Sequence, residues 1–468
     1  MSTMELTAPT AGWVDGKRWW WLASPAVPAI GVASVVAVLA GAPGALLWVL
    51  PFLFYVAAPM MDLLFGEDRV NAPESAVAEL DADRYYLRIV YAYVPFQYLI
   101  TGLGAYLAIT GDLSWIDMVA LVMATGIANG VGINTAHELG HKTSGFERWL
   151  AKITLAPVAY GHFFIEHNKG HHKNVATPED PASSKMGETF WAFLPRSVIG
   201  SLKSAWHIEA ERLKRLNKPV ISLENENLQA WGMTVMLFTA LTIWLGPWAL
   251  VFLVAQAVFG FCLLEVVNYL EHYGLKREKL PSGRYERCQP RHSWNSNHVV
   301  TNLLLYQLQR HSDHHANPTR HYQSLRHFDD SPQLPSGYCA MILAAYFPPL
   351  WFRLMDAKVV AHHGGDLSKA NLYPARRAAL LKKWAPELGA DVSIHRTACG
   401  TRHERGVVGT ASDEATRHQC PNCSYVYDDA VGCVREGFAP GTRWAALPMS
   451  WQCPDCAVRE KPDFVAVA

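Results

Sequence analysis

The chain has 468 residues, of which 50% are hydrophobic and only 18% charged, against about 25% charged in an ordinary soluble domain. Forty-one lysines and arginines balance 41 aspartates and glutamates, so no basic excess points to nucleic acid as a partner. Of nine cysteines, five crowd between 420 and 456, which argues for a metal site near the C-terminus over a disulfide framework.

From the N-terminus onward the apolar residues fall into six blocks, near 19–41, 44–65, 89–110, 115–136, 228–246 and 248–270. Each is about 20 residues long, the length that crosses a ~30 Å hydrocarbon core as helix. Trp19 to Trp21, Trp115 and Trp248 mark their ends, as suits a headgroup boundary. Lys17 and Arg18 precede the first block as they would a signal peptide, but a second block follows at once, so the first reads as an anchor. The turns at 42–43, 111–114 and 246–247 carry no lysine or arginine, whereas 137–227 carries twelve. Retention of positive residues therefore places both termini and every long loop on the cytoplasmic side of the inner membrane. Buried helices of a large soluble protein are equally apolar but show no such one-sided charge. In the second block Phe54 and Tyr55 stand about 15 Å along the helix from its cytoplasmic end, at about 1.5 Å per residue. There a bulky side chain either limits a substrate channel or simply packs between helices.

Histidine is concentrated where these helices would leave the membrane. The fourth block runs into "NTAHELGHK" (134–142), whose His137 and His141 are four apart and share a helix face. "EHNKGHHKN" (166–174) follows with His167, His171 and His172, and the sixth block ends in "NYLEHYG" with His272. "LQRHSDHH" (308–315) adds His311, His314 and His315. The apolar stretches 148–164 and 338–352 tempt further spans. A crossing at 148–164, however, would part the first two clusters by about 30 Å. Both are expected as surface-lying or shallowly re-entrant helices. Nine imidazoles on one side suit zinc, iron, copper or nickel, and they are too many for one ion. HELGH alone also fits the zinc-protease motif, with Glu138 as base. A zinc hydrolase uses three protein ligands and an open position, which would leave the other histidines without a role. His162, His292, His298 and His321 read as ordinary hydrogen-bonding residues, with His292 and His298 the best exceptions.

Four carboxylates, Glu138, Glu166, Glu271 and Asp313, adjoin these histidines or lie one turn away. Carboxylates in such places often accept the outer imidazole N–H and fix the ring. Neighbouring helix positions point about 100° apart, so each reads equally as an interhelical or solvated charge.

The boxes resemble the integral-membrane desaturase and hydroxylase superfamily. Within it, "NTAHELGHK", "GHFFIEHNKGHHKNVATPEDPA", "NYLEHYG" and "LQRHSDHHANPTRHYQSL" are similar to the alkane 1-monooxygenase (alkane omega-hydroxylase) family, over residues 15–372. The resemblance implies an all-α polytopic membrane domain of six transmembrane helices around a histidine-box di-iron centre. Its two non-haem irons would be held by His137, His141, His167, His171, His172, His272, His311, His314 and His315. The implied reaction oxidises the terminal methyl of a medium-chain n-alkane to a primary alcohol, with dioxygen and two electrons. A fatty-acid desaturase or an aromatic-methyl hydroxylase would use nearly the same boxes. A metal transporter would place polar residues near mid-membrane, where these spans are apolar.

Residues 373–417 turn polar and read as linker. Then come "CPNC" (420–423) and "CPDC" (453–456), with 29 residues between them. Paired CxxC motifs hold zinc or iron tetrahedrally, and a zinc ribbon is the plain alternative. "GFAPGTRWAALPMSWQCPDC" and "YVYDDAVG" resemble rubredoxin. That implies a small β-rich domain over 418–460, with one iron on Cys420, Cys423, Cys453 and Cys456. Tyr425, Tyr427, Phe438, Trp444 and Trp451 would form its aromatic core. Rubredoxin carries glycine where Ser424 and Ala457 stand, and Cys433 lies outside both knuckles. A fused rubredoxin implies one-electron delivery to the oxygenase and, behind it, an NAD(P)H- and flavin-linked rubredoxin reductase. A flexible 390–418 segment would reach about 30 Å. The domain's charge is acidic (Asp428, Asp429, Glu436 and Asp455 against Arg435 and Arg443), so it is expected to land on 273–326. That stretch has nine basic residues, among them Lys276, Arg277, Lys279, Arg310 and Arg320, and three acidic ones, and opposite charge speeds docking.

Overall fold

Each apolar block forms a helix. Among the described residues six helices are long and apolar enough to cross a membrane: Trp20–Leu39, Gly44–Phe65, Arg84–Thr110, Trp115–Gly140, Glu226–Leu245 and Trp248–Glu271. The computed structural model describes residues 13–142, 144–281, 283–388, 416–423 and 425–467. The third and fourth spans run furthest past the limits that hydropathy set. Asp83 accepts a hydrogen bond from the Tyr85 amide and starts the third helix at Arg84, as a cap does, while Arg18 holds its carboxylate at 2.6 Å. The fourth helix continues to Gly140 and so carries His137 in its last turn. Pro59 lacks the N–H that would bond back to Tyr55, and the second span accommodates the loss with a π turn over Leu53–Ala57.

The fourth span, two-thirds buried against its neighbours, is the axis of the membrane domain. It meets the sixth at glycines. A Cβ on Gly130 would stand 2.8 Å from the Gly260 carbonyl oxygen, and one on Gly126 would stand 3.0 Å from that of Gln256. Only hydrogen at these positions lets the two backbones touch. In the same contact Asn129 donates to Gln256 Oε1 at 2.6 Å, pairing two polar groups that burial would otherwise penalise. The C-terminal ends of both spans, bearing His137 and His272, therefore reach one boundary together.

Neither additional apolar stretch makes a straight span. The first forms a helix, Gly145–Leu155, whose Arg148 and Lys152 both reach Glu226 at the start of the fifth span. Ala159 at φ 54° turns the chain, which then runs back into the protein. The second forms Tyr338–Ala345 and Pro348–His362, bent through 119° where Pro348 and Pro349 interrupt the backbone bonding. Between the second histidine box and the fifth span lies a long helix, Phe190–Arg215, with Arg212, Lys214 and Arg215 in its last turn.

The C-terminal unit is a three-stranded antiparallel sheet of β1 (Arg417–Gln419), β2 (Val426–Asp428) and β3 (Val465–Val467), in the order β2-β1-β3. Its third strand lies past the expected limit at 460. Tyr427, Trp444 and Trp451 fill its core with Phe464, while Tyr425 and Phe438 pack against them. The expected linker begins instead with a helix, Arg377–Leu388; residues 389–415, and with them most of the expected tether, lie outside the described residues.

The turn that leads to the last histidine box is anchored from the second span. Buried Asp62 accepts from the amides of Val300 (2.9 Å) and Thr301 (3.0 Å), and from the Thr301 hydroxyl. It thus caps the helix Val299–Leu304 from a distant element. Asp62→Ala should cost about 1–2 kcal/mol by stranding buried N–H groups. A lowered melting temperature of the detergent-solubilised protein is expected, and an unchanged one would show that the cap contributes nothing.

Candidate metal centre

Four elements deliver the nine sequence-predicted imidazoles to one buried site. The fourth span supplies His137 and His141. A π turn, Glu166–His171, supplies His167 and His171, with His172 directly after it. His272 caps the sixth span, and a short helix, His311–Ala316, brings His311, His314 and His315. The rings sort into two sets whose ligand atoms lie within 4.8 Å of one another: His137, His141, His167, His172 and His314, and then His171, His272, His311 and His315.

Their spacing identifies the kind of site. In the first set Nε2 of His314 stands 2.8 Å from that of His137 and 3.0 Å from that of His172. In the second, Nε2 of His315 stands 2.8 Å from that of His311 and 3.2 Å from that of His171. A neutral imidazole has one N–H, so nitrogens crowded this way cannot all be satisfied by one another. Nitrogens about 2.1 Å from a shared divalent ion and at right angles stand about 3 Å apart. Nε2 of His141 is buried with no hydrogen-bond partner among the described residues, as an atom aimed at an ion would be. Burial first, and then the neighbouring rings, hold His167, His172, His314 and His315 well below the usual imidazole pKa. They are therefore in the neutral form that a metal binds.

Both histidine doublets have the same geometric use. Adjacent residues of a helix project about 100° apart, and each doublet sends one ring to each set. His171 and His315 go to the four-membered set, His172 and His314 to the five-membered one. The two sites are thereby held side by side.

The outer partners differ from expectation. Nδ1 of His171 meets Asp180 Oδ2 at 2.9 Å, and Ser183 donates to the same oxygen at 2.6 Å. His272 Nδ1 donates to the His292 carbonyl at 3.1 Å. Asp180 was not among the expected carboxylates, although it lies in the quoted "TPEDPA", where Pro178 and Pro181 flank the turn. Of the four that were, Glu271 lies nearest the centre, with Oε2 3.1 Å from His311 Nε2. Glu166 lines a small cavity with His167 and His171, and burial pushes its carboxyl up to about 8. Glu138 turns away to Lys142 at 3.8 Å. Asp313 also turns away, accepting from Asn317 Nδ2 and the Arg326 amide and pairing with Arg320 at 3.3 Å. These last two point off the ligand face, about 100° around the helix from the neighbouring histidine. His292 and His298, the suspected exceptions, bond to Glu286 and Ser296.

The cysteines converge equally well. Sγ of Cys420 is 3.7 Å from that of Cys456, and Sγ of Cys423 is 3.4 Å from that of Cys453. A tetrahedron with metal–sulfur bonds of about 2.3 Å has sulfur–sulfur edges of about 3.8 Å. Ala457 sits at φ 54°, the left-handed conformation in which a side chain is strained; Ser424 lies outside the described residues.

Comparison with known proteins agrees with both sites. The fatty acid desaturase family profile matches residues 113–345, and the rubredoxin profile matches 417–464. The alkane 1-monooxygenase of Acinetobacter baylyi is 48% identical over 378 residues, 79% of this chain and 92% of that protein. That of Pseudomonas putida is 48% identical over 395 residues, 82% and 96% respectively. The chain belongs to the alkane 1-monooxygenase family. A more distant relative, the xylene/toluene monooxygenase hydroxylase component of Pseudomonas putida, is 28% identical over 223 residues, 47% of this chain and 58% of that protein. The histidine sets suit the di-iron site of an alkane 1-monooxygenase, and the four cysteines suit a rubredoxin iron.

The rubredoxin domain is seated over the histidine boxes. Lys169, inside the π turn, meets Glu436 at 2.7 Å. Arg215 donates to the Glu436 carbonyl at 2.9 Å, and Arg212 donates to that of Arg435 at 3.1 Å. Arg287 pairs with Asp463 at 2.9 Å, while Lys173 and Arg284 flank Glu460. Burial would raise the Glu436 carboxyl, but Lys169 and the nearby arginines bring it down to about 2. Gly437 makes the close approach possible. It sits at φ 90°, and a Cβ there would stand 2.7 Å from that of Arg215. The landing surface is thus not 273–326 as a whole. Arg310 and Arg320 serve internal partners, and Lys169, Lys173, Arg212 and Arg215 replace them. Sequence distance hid those four, since they join only when the second box folds against the long helix.

The bond from Asp180 fixes the ring of His171, and losing such a partner typically weakens metal affinity ten- to a hundredfold. Asp180→Ala should therefore shed part of its iron to a chelator that leaves the parent fully loaded. Equal retention in both proteins would remove Asp180 from the centre.

Proposed function

We propose that this enzyme hydroxylates the terminal methyl of medium-chain n-alkanes to primary alcohols, using dioxygen and two electrons from its fused rubredoxin domain. One observation carries the reading. A polar cavity of about 360 Å³ is lined both by His141 of the five-histidine set and by Cys453 and Cys456 of the rubredoxin site. The two redox centres therefore face each other across one small space. In this reading the nine histidines are the ligands of two irons, and Cys420, Cys423, Cys453 and Cys456 hold the third. The bound di-iron centre supplies activation of dioxygen. Asp180 and the His292 carbonyl keep His171 and His272 in the orientation that binding needs, and the buried surroundings exclude bulk water. The names of the relatives support an alkane substrate.

An alkane has no polar handle, so it is expected to arrive through the bilayer and to be oriented by shape alone. Phe54 lines an apolar cavity of about 510 Å³ between the first two spans, walled on one side by Val299, Val300, Leu303 and Leu304. Tyr55 points instead to Tyr346. The distribution of lysine and arginine supports placing the irons and the rubredoxin domain on the cytoplasmic side of the inner membrane. A flavin-linked rubredoxin reductase would then supply electrons from NAD(P)H.

Two outcomes check this reading. The anaerobically purified enzyme should yield 1-octanol from octane under air. A chain ending near Gly400 should keep the di-iron centre yet turn over only with added rubredoxin. Full-length rates from that shortened chain with reductase alone would exclude the fused domain as donor, and an alkene product would make the enzyme a desaturase.

Phe54→Ala should shift the preferred alkane toward longer chains by deepening the cavity. An unchanged chain-length profile would leave Phe54 a packing residue.

A further inference from the structure

Hydroxylation consumes two electrons per dioxygen, and a single cysteine-held iron passes one at a time. The rubredoxin domain must therefore be reduced twice in every turnover: RH + O2 + 2H+ + 2e− gives ROH + H2O. If its iron could be reached only after leaving the histidine boxes, the ion pairs of Glu436, Glu460 and Asp463 would have to break twice as well.

The two knuckles of the docked domain are not equivalent. The second one, Cys453 to Ala457, lines the cavity shared with His141, and both of its cysteines are buried. It is also the charged side: Asp455 lies within it, Arg435 donates to the Pro454 carbonyl, and Arg459 lies beside it. In the first, Pro421 is exposed, and Asn422 and Cys423 are partly exposed. Residues 420–425 contain no charged side chain, and none of Cys420 to Cys423 lines the shared cavity.

We propose that the rubredoxin domain is reduced while it remains docked. Electrons enter at the first knuckle, Cys420–Cys423, and leave at the second, Cys453–Cys456. The partner at the first knuckle is a flavin-bearing reductase that presents an uncharged edge to Pro421, Asn422 and Cys423. Each visit transfers one electron from reduced flavin to the cysteine-held iron, and NAD(P)H restores the flavin. The inference rests on the donor role given above and adds its direction and its second partner. It also separates two salt dependences. Docking through ion pairs weakens as salt rises, whereas the reductase contact at an uncharged knuckle changes little.

The test locks the docked state in the full-length holoenzyme. Arg287→Cys combined with Asp463→Cys replaces one interface ion pair by a disulfide, verified by peptide mapping, with each single variant as control. Reductase and NADH are then added, and bleaching of the visible rubredoxin absorbance is followed by stopped flow. The locked enzyme should bleach within about twofold of the unlocked rate and go on to many turnovers. Pro421→Glu together with Asn422→Glu, in the unlocked enzyme, should slow bleaching tenfold or more. The visible rubredoxin spectrum of that variant, recorded before reduction, separates a lost reductase contact from a lost iron. A more than tenfold loss of bleaching on locking, restored when the disulfide is opened, would overturn the proposal, as would normal bleaching in the doubly charged knuckle variant. Repeated rapid bleaching of locked enzyme under air, with no alcohol formed after two or more electrons have been delivered, would instead strike the donor reading and leave the entry site standing.

Discussion

Nine imidazoles, eight of them buried and His141 partly so, with their nitrogens aimed at one another form the constraint on which the rest of the structure depends. Each neutral ring can donate only once, and burial opposes protonating rings such as His167, His172, His314 and His315. Without metal the arrangement leaves ring nitrogens such as His141 Nε2 without a partner among the described residues, an expensive condition in a protein interior. With metal those nitrogens are satisfied together. Every element at the boundary is shaped by that requirement, from the π turn of the second box to the short helix of the last.

Holding the rings in place falls to contacts some distance away. The fourth and sixth spans can bring His137 and His272 to one level because Gly126, Gly130 and Gly260 let their backbones touch. Asp62 reaches from the second span to cap the helix that leads to His311. In each case a small or polar residue inside the membrane domain has a geometric duty that its hydropathy does not reveal. Polar groups in an apolar setting are costly unless paired, and Asn129, Gln256 and Asp62 are all paired.

The docked rubredoxin domain extends the same logic across a domain boundary. Lys169 stands between His167 and His171 and is gripped by Glu436, so the segment that carries three histidines is also part of the docking surface. The seating of the rubredoxin domain and the integrity of the second box are therefore mechanically linked. A basic surface facing an acidic domain sets orientation and encounter rate more than affinity.

By itself the sequence determined the six spans, the nine histidines and the four cysteines. Hydropathy over about 20 residues and ligand spacing within one helix turn are local properties, so they can be read without the fold. It also left Glu138, Glu166, Glu271 and Asp313 as equals, though only Glu271 and Glu166 face the centre in the folded chain. What tertiary structure decided were contacts between residues far apart in the chain or on separate turns: Asp180 on His171, the His292 carbonyl on His272, and Lys169, Arg212 and Arg215 on the rubredoxin domain. Which set each ring of a doublet joins was also decided there. The reason is physical. A side chain's direction follows from its own helix, but its partner follows from how helices pack, and the packing is fixed by contacts such as those of Gly130 and Gly260, which pair residues more than a hundred positions apart.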